Sequence, residues 1–329
     1  MAALNKNEII ELLNSNSDEL FLTADTARHE NVGDEVHLRG LIEFSNICKR
    51  NCFYCGLRRD NKKIERYRLD EDEIIKTAEY GANLGYKTVV LQSGEDDFFN
   101  VKKLSKIIEE IKKFDVAVTL SIGEKTKEEY KELKKAGADR FLLRIETTDE
   151  FLYKKFHPDM DFKNRVKCLY NLKELGYETG TGSLAGLPYQ TIESLAEDIL
   201  FYKKLNADMV GIGPFIPHPD TPLWGELNEN NFNLALKMMA ITRIIMPKIN
   251  IPATTAMEVI NKEGRIIALK SGANVIMPNI TNSSCKKKYE IYPGKENLNN
   301  KEDDYKNLLE EKIKEIGRTV AKDKGFRKK

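Results

Sequence analysis

Short apolar runs alternate with longer charged stretches through most of the chain. Eight runs are rich in β-branched or apolar residues and have the length of buried strands, at 36–44, 88–91, 116–120, 141–145, 178–181, 209–212, 249–254 and 274–277. Seven stretches between them predict helices, at 72–84, 101–113, 126–135, 162–175, 192–205, 231–245 and 262–270. This alternation predicts an α/β fold, a (β/α)8 TIM-type barrel, rather than an open doubly wound sheet, with a six-unit open barrel plus extra elements as the alternative.

The pattern changes at both ends of the chain. We expect a helical lead-in over 1–30, the barrel over 31–295, and a C-terminal helix and tail over 296–329. The last segment is rich in Lys and Glu, and its short basic end at 325–329 is expected to be solvated. No linker or low-complexity stretch interrupts the barrel segment.

Polar residues or glycines follow nearly every predicted strand. In TIM-type barrels the active site is built from the C-terminal ends of the strands, so these groups are expected to converge on one rim. They are Glu43, Ser45, 92–95, Thr119, Ser121, Arg144, Glu146, Gly182, Ser183, Gly213, Thr254, Thr255 and 277–279. A polar strand end is common in any fold, so the indication of a site lies in the convergence of all eight.

Charge and hydropathy exclude some classes of partner. Lys plus Arg (53) nearly cancels Asp plus Glu (52), and the net charge of +1 offers no electrostatic footprint for nucleic acid or for an acidic membrane. No run approaches the roughly 20 apolar residues of a membrane span, and the first residues lack the apolar core of a signal peptide. We therefore expect a cytoplasmic protein that binds neither nucleic acid nor membrane.

Three of the five cysteines lie within eight residues, after the first predicted strand. Cys48, Cys52 and Cys55 have CxxxCxxC spacing, and thiolates suit iron–sulfur clusters or zinc. A structural zinc site needs four protein ligands, and no fourth Cys or His is near in sequence. Three ligands on a four-iron cluster leave one iron open to a small molecule. Unpaired core cysteines, zinc with a remote fourth ligand and an electron-transfer cluster remain the alternatives.

The sequence segments around the cysteines resemble those of a known family. CxxxCxxC with the aromatic Tyr54 before the third cysteine is similar to the signature of radical S-adenosylmethionine (SAM) enzymes. Six more specific segments are similar to sequences of the HydE family of FeFe-hydrogenase maturases, and the resemblance covers about residues 30–295. They are LRGLIEFSN at 38–46, YCGLRRDN at 54–61, LQSGED at 91–96, GIGPFIP at 211–217, IPATTAM at 251–257 and GANVIMPN at 272–279.

The resemblance implies cofactors, a substrate and partners. It implies one 4Fe-4S cluster on Cys48, Cys52 and Cys55, with SAM on the open iron, cleaved reductively to a 5′-deoxyadenosyl radical. The implied substrate is a small iron complex carrying carbon monoxide, cyanide and cysteine, made by a partner maturase, whose sulfur the radical attacks during assembly of the hydrogenase H-cluster. Transient contacts with other maturases and a reductant such as ferredoxin or flavodoxin are expected.

The resemblance also implies roles for individual residues. Residues expected to bind SAM are Tyr54, Gln92, Ser93, Gly94, Glu146, Arg165 and Leu184. Residues expected on the substrate side are Thr119, Arg144, Thr254, Thr255, Met277, Tyr289 and Tyr292. An arginine can pair with the SAM carboxylate, and a carboxylate can accept from ribose hydroxyls. Glycine lets a backbone approach closely. His37, His157 and His218 are expected to be structural.

Two features separate this chain from some relatives, and rival functions remain. Some HydE proteins carry a second cysteine cluster near the C-terminus, whereas no cysteine follows Tyr292 here, so we expect a single cluster. Tyr189 stands where relatives have the second glycine of a Gly-Leu-Pro-Gly turn. The rivals are a methylornithine-synthase-like or biotin-synthase-like radical SAM enzyme and a non-catalytic electron carrier. A sulfur inserter would need a second cluster, for which Cys168 and Cys285 are the only spare thiols.

Overall fold

Nine parallel strand segments, two of which join end to end, form a closed ring of eight barrel strands in the computed structural model, which describes residues 4–226, 230–295 and 302–328. The strands are β1 (Glu35–Leu38), β2 (Gly40–Ser45), β3 (Thr88–Ser93), β4 (Ala117–Ser121), β5 (Arg140–Leu142), β6 (Glu178–Thr181), β7 (Leu184–Ala185), β8 (Met209–Val210), β9 (Gly213–Pro214), β10 (Pro252–Ala253), β11 (Val275–Ile276) and β12 (Thr319–Val320).

Helices follow the strands and surround them. They are α1 (Lys6–Asn14), α2 (Asp18–Val32), α3 (Glu71–Asn83), α4 (Val101–Lys112), α5 (Lys127–Lys135), α6 (Glu150–Phe156), α7 (Phe162–Glu174), α8 (Ile192–Lys204), α9 (Asn231–Ile245), α10 (Thr255–Ile260), α11 (Gly264–Lys270), α12 (Ser283–Lys286) and α13 (Glu302–Glu315). Among the residues described, no helix combines the length and apolarity needed to cross a membrane.

The ring closes through two junctions. One arc pairs β2, β3, β4, β5, β6 and β8 in that order, and the other pairs β10, β11 and β1. Strands β1 and β2 are consecutive around Arg39 and form one barrel strand, while a parallel bridge between Met209 and Asn250 joins β8 to the segment entering β10. The predicted (β/α)8 barrel is confirmed.

The amphipathic pattern explains the helix positions. In α4, Leu104, Ile107, Ile108 and Ile111 recur at helical spacing and are buried against the barrel. Thr126 caps α5 through a capping box with Glu129. All seven predicted helices lie within two residues of the observed bounds. The lead-in consists of two helices, and the short helices α6, α10 and α12 were not predicted.

Several strands are shorter than predicted. The run at 141–145 has strand geometry only over Arg140–Leu142, and the run at 249–254 only over Pro252–Ala253. Beyond Leu142 the ladder to β6 continues for one more residue and then gives way to bonds with the loop that follows β6. Leu143 N donates to Gly180 O of β6 at 2.9 Å, whereas Glu146, which has left extended geometry, donates to Gly182 O beyond the end of β6 at 3.0 Å.

The C-terminal tail, expected to be a solvated end, is solvated only in part: Phe326 and Lys328 are exposed, whereas Gly325 is buried. Residues 324–325 pass beneath the lower end of the barrel, where Lys324 O accepts from Thr88 Oγ1 (2.9 Å) and from Arg140 Nη2 (2.7 Å). Gly325 O accepts from Arg39 Nη2 at 3.1 Å. Both arginines are buried at the barrel base and need acceptors there, and the tail carbonyls supply them.

Candidate active site

The cysteine loop leaves the end of β2 (Gly40–Ser45) and is held from three sides. On one side, Glu95 N donates to Cys48 Sγ at 3.3 Å and Lys49 N donates to Glu95 O at 3.0 Å. On the second side, Phe53 N donates to Phe156 O at the end of α6, also at 3.0 Å. On the third side, Gly56 N donates to Ile291 O at 2.8 Å. The loop conformation is therefore fixed by the surrounding barrel loops.

Gly94 allows the cysteine loop to approach strand β3 closely. A Cβ at this position would lie 2.3 Å from Ile47 O and 2.7 Å from Cys48 Cβ. The sequence suggested that this glycine admits SAM; the close neighbour on its Cβ side is the cysteine loop instead. A side chain here would push the loop away from the barrel.

The three cysteines are half-buried, and the surroundings of their thiols disfavour the charged form. Burial raises the pKa of Cys48, raises that of Cys55 to about 12, and raises that of Cys52 strongly, with neighbouring thiolates adding repulsion at Cys52 and Cys55. A bound metal centre would offset the free-energy cost of holding thiolates here, because the thiolate is the form of cysteine that binds metals. No three His, Cys, Asp or Glu side chains in the described ranges converge on a single ion. The ligands of a cubane cluster need not converge on a single ion, because each thiolate binds a different iron.

A cavity of about 320 Å³ opens at the C-terminal ends of the strands, beside the cysteine loop. Every predicted site residue except Thr119 lines it. These are Cys48, Cys52, Tyr54, Cys55, Gln92, Ser93, Gly94, Arg144, Glu146, Arg165, Leu184, Thr254, Thr255, Met277, Tyr289 and Tyr292. The convergence expected from the strand ends is therefore present, while the binding roles of these residues stay predictions.

Thr119 does not line the cavity. It lies within β4, in register with Arg140 of β5, and is 2% exposed. Ser121, the last residue of that strand, lines the cavity in its place. The prediction placed Thr119 at the strand end, and the strand continues for two residues beyond it.

Glu146 has an unusual backbone and an unsatisfied carboxylate. Its φ of +66° is left-handed, and the loop is fixed by Glu146 N donating to Gly182 O (3.0 Å) and Leu184 N donating to Glu146 O (3.1 Å). Oε2 lies 3.2 Å from Arg144 Nη2 as an ion pair but accepts no hydrogen bond. Burial raises the pKa of this carboxyl, and Arg144 and Arg165 oppose the shift. A ligand hydroxyl is the missing donor that this geometry suits.

Arg165 belongs to a buried chain of charges that reaches the cysteine loop. Its Nε donates to Glu124 Oε1 at 2.8 Å, and Glu124 Oε2 lies 3.2 Å from Arg50 Nη2. Arg50 Nε in turn donates to Glu95 Oε2 at 2.6 Å. Burial alone would lower the pKa of Arg165, but Tyr153 and Glu124 raise it. This guanidinium is therefore a fixed cation on the cavity wall.

Sequence reasoning missed the carboxylates of this network. Glu124 follows β4 by three residues, and Glu95 was noted only as part of a strand end. The available signal was that both follow neighbouring strands, whose ends meet at one edge of the barrel.

Tyr54 is held by a histidine. Its hydroxyl lies 2.8 Å from His157 Nε2, and His157 Nδ1 lies 2.8 Å from Tyr153 O. The imidazole stacks on the Tyr153 ring, with 4.1 Å between ring centroids. By contrast, His37 is at the lower end of the barrel, 2.9 Å from Asp323 Oδ1.

Residues of the segment 289–295 line the substrate side of the cavity. Lys295 Nζ forms an ion pair with Glu43, which is fully buried at the end of the first barrel strand, and donates to Tyr289 O at 3.2 Å. Asn279 Nδ2 donates to the other Glu43 oxygen at 2.7 Å. Burial lowers the pKa of Lys295, and Glu43 raises it. Lys295 was not predicted as a site residue, since nothing in the local sequence separates it from surface lysines.

The cavity fits the cofactors that the sequence implies. Arg144 Nε, Glu146 Oε2 and Thr254 Oγ1 are buried there without a hydrogen-bond partner, although buried polar atoms are normally paired. A ligand with carboxylate, amino and hydroxyl groups would satisfy such a set, and three soft thiolates lie on the adjoining loop. The residues present therefore suit a thiolate-bound cluster next to a polar ligand such as SAM.

Comparison with known proteins agrees with this geometry. The profile of the Radical SAM superfamily matches residues 42–202, and that of the Biotin and Thiamin Synthesis associated domain matches residues 212–311. The solved structure of methylornithine synthase PylB is 26% identical, with a TM-score of 0.86 over 97% of this chain and 95% of that chain. The fold of the maturase HydG from Carboxydothermus hydrogenoformans is also similar, with 22% identity and a TM-score of 0.78 over 95% of this chain and 75% of that chain. Barrel, cysteine loop and cavity together define a radical SAM enzyme.

Two curated relatives narrow the class. The FeFe hydrogenase maturase subunit HydE of Thermotoga maritima is 53% identical over 95% of this chain and 90% of its own length. The 3-methylornithine synthase of Methanosarcina acetivorans is 32% identical over 83% of this chain and 79% of its own length. The chain belongs to the radical SAM superfamily and, within it, to the HydE-type hydrogenase maturases.

Proposed function

We propose that the chain uses one 4Fe-4S cluster to cleave SAM and acts on an iron complex carrying carbon monoxide, cyanide and cysteine during H-cluster assembly. The observation that carries the proposal is the single cavity that brings the three cysteines together with Glu146, Arg165 and the substrate-side residues. The identity to HydE over nearly the whole chain supports the substrate class.

The protein's own residues bind, orient and exclude water. A bound 4Fe-4S cluster supplies the electron that splits SAM, and SAM supplies the radical. Cys48, Cys52 and Cys55 would hold the cluster. Arg165 would pair with the SAM carboxylate and Glu146 would accept from the ribose hydroxyls. Four side chains of the segment 289–295 line the cavity, and the space they take up there would limit the access of water to a reactive species.

The substrate side offers donors beside an apolar wall. Thr254 and Thr255 supply hydroxyls, Arg144 supplies a cation for cyanide or carboxylate, and Met277 supplies a soft apolar surface. Thr119 is left out of the proposed contacts because it lies behind the cavity lining. Transient contacts with other maturases and a cytoplasmic reductant such as ferredoxin or flavodoxin complete the proposal.

SAM cleavage is the first test. Anaerobically reconstituted protein with dithionite and SAM is expected to yield 5′-deoxyadenosine, measured by liquid chromatography. Replacement of Cys52 by Ala should abolish the product, with Cys168→Ser, a buried cysteine outside the cavity lining, as the matched control. Product formation that survives Cys52→Ala would contradict the cluster assignment, and a wild-type protein that takes up iron without making product would favour an electron carrier.

Maturation is the second test. Apo-hydrogenase in a defined maturation mixture is expected to become active only when this protein is present. Full activation without it would favour a methylornithine-synthase-like reaction, for which the structural similarity to PylB is the supporting observation. Accumulation of a rearranged amino acid in the same mixture would identify that reaction.

A further inference from the structure

We propose that His157 is a positioning residue: its Nε2 accepts a hydrogen bond from the Tyr54 hydroxyl, fixes the Tyr54 ring against the site, and thereby sets the affinity for SAM. The inference rests on the proposed function, because Tyr54 is a SAM contact only within that proposal. His157 itself lies outside the cavity lining and would act through Tyr54.

The hydrogen-bond direction follows from the groups on the two ring nitrogens. Nδ1 faces Tyr153 O at 2.8 Å, and a carbonyl oxygen can only accept, so Nδ1 carries the proton. Nε2 is then the acceptor, and the Tyr54 hydroxyl 2.8 Å away is the donor. The two rings are steeply inclined, at 76° with centroids 5.3 Å apart, so the hydroxyl meets the edge of the imidazole.

The imidazole is itself fixed. It is 2% exposed and stacks on the Tyr153 ring at 4.1 Å with an angle of 21° between the planes. Burial, with Arg165 nearby, lowers the pKa of His157 to about 3, so the ring stays an acceptor at neutral pH. Because the acceptor is fixed, the Tyr54 hydroxyl has one favourable orientation, with its hydrogen toward His157 Nε2.

The same helix end holds the cysteine loop twice, at neighbouring positions. Phe53 N donates to Phe156 O through the backbone at 3.0 Å, and the next residue on each side forms the Tyr54–His157 side-chain bond. The backbone bond already anchors the loop. The side-chain bond therefore adds control of the Tyr54 ring, which lies on the cavity wall between the ligands Cys52 and Cys55.

Three variants separate ring positioning from loop anchoring. His157→Phe keeps a ring against Tyr153 but removes the acceptor, His157→Gln restores an acceptor, and Tyr54→Phe removes the donor but keeps the aromatic ring. We expect His157→Phe and Tyr54→Phe each to raise the Kd for SAM about fivefold, the size of one net hydrogen bond. The double variant should lose no more than either single variant, and His157→Gln should stay within about twofold of wild type.

The readouts do not depend on turnover. The Kd is measured by calorimetry on unreduced reconstituted protein with SAM, alongside iron content. Carbon-13 NMR of ring-labelled histidine in the apoprotein reports whether His157 carries its proton on Nδ1, with the His157→Gln spectrum for assignment. His37→Phe, a substitution of a largely buried histidine at the opposite end of the barrel, is the matched control and should leave the Kd unchanged.

The outcomes distinguish this inference from the proposed function. Additive losses in the double variant, an unchanged Kd in His157→Phe, or a proton on Nε2 would each overturn the positioning role. Loss of iron in His157→Phe with normal binding by Tyr54→Phe would identify His157 as a loop anchor and also overturn it. A wild-type protein that binds SAM without cleaving it would defeat the proposed function alone, and the Kd comparison would still decide the role of His157.

Discussion

Glu146 combines a left-handed backbone with a carboxylate oxygen that accepts no hydrogen bond, although Arg144 lies beside that oxygen as an ion pair. Such strain persists only where surrounding contacts hold it, and here the neighbours are Gly182 and Leu184. Unpaired buried atoms are rare, yet Arg144 and Thr254 add two more in the same cavity. Strain and missing partners coincide at one point, as expected of a site completed by a ligand.

The sequence points to Cys48 through its motif and to Glu146 through its place at a strand end, whereas Arg165, which lies within α7, was expected in the site only because of the family resemblance. It does not reveal that Glu124 pairs with Arg165, or that Lys295 pairs with Glu43. These partners are 41 and 252 residues apart in the chain. Only the barrel brings them together, and no local pattern encodes the choice of partner.

Asp198 supports the loop after Glu146 and gives a prediction for pH dependence. Its Oδ1 accepts from Thr148 N and from Thr148 Oγ1, each at 2.6 Å, while burial raises its pKa to about 7. The folded state therefore binds this proton more tightly than the unfolded state does, for which the pKa is near 3.8. Stability from this group is present below pH 4 and is lost as pH rises toward 7.

We expect Asp198→Asn to remove that loss, since the amide keeps an acceptor for Thr148 and cannot ionise. Thermal unfolding of apoprotein should show the variant gaining roughly 2–4 °C in Tm on wild type between pH 5 and pH 8, the shift that about 2–3 kcal/mol produces in a chain of this length. The exposed carboxylate variant Asp72→Asn is the control. A difference in Tm that stays constant across the pH range would count against the assigned protonation.

Among the secondary-structure elements, the long helices were predictable and the short upper ones were not. Amphipathic spacing defines a helix such as α4, whose apolar face packs on the barrel. Helices α6 and α10 have seven and six residues, too few for a periodic pattern to stand out. Their positions depend on contacts such as Phe53 with Phe156, which arise only after the barrel has formed.

A buried ion pair between Lys295 and Glu43 joins the segment 289–295 to the end of the first barrel strand. We expect Lys295→Met to lower stability by about 3–5 kcal/mol, because Glu43 is left buried without its cation. Adding Glu43→Gln should recover much of the loss, as the double variant buries no unpaired charge. Chemical denaturation of the apoprotein measures both effects.

An exposed ion pair provides the comparison for these two substitutions. Lys113 and Glu110 lie 2.6 Å apart on α4, and Lys113→Met should cost less than about 1 kcal/mol. Strictly additive losses for Lys295→Met and Glu43→Gln would mean that the two side chains do not stabilise the segment as a pair.

In the molecule as a whole, the two ends of the barrel have different roles. The upper end carries the cavity, and the lower end is sealed by the tail carbonyls of Lys324 and Gly325 on the buried Arg140 and Arg39. The number of strands follows from the sequence pattern. The contact between the tail and the barrel base does not follow from the sequence, because nothing in a basic tail indicates that buried arginines lie above it.

The distribution of cysteines over the whole chain gives the last prediction. Cys168 is buried in α7, with Sγ 3.7 Å from Lys125 O, and Cys285 lies in α12; neither lines the cavity. No cysteine follows Cys285 in the sequence. Thiolates are the usual ligands of 4Fe-4S clusters, and Cys48, Cys52 and Cys55 are the cysteines that lie together on one loop at the cavity. We expect about four irons per chain after anaerobic reconstitution, given one cubane cluster.

Iron and sulfide analysis with Mössbauer spectroscopy measures this number. Replacing Cys48, Cys52 and Cys55 together by Ala should remove nearly all bound iron, while Cys168→Ser and Cys285→Ser should each leave the count unchanged. A reproducible count near eight in the wild type, or bound cluster in the triple variant, would require a second set of ligands. Because the remaining thiols lie far apart in sequence and outside the cavity lining, such a set would have to recruit non-cysteine ligands or a second chain.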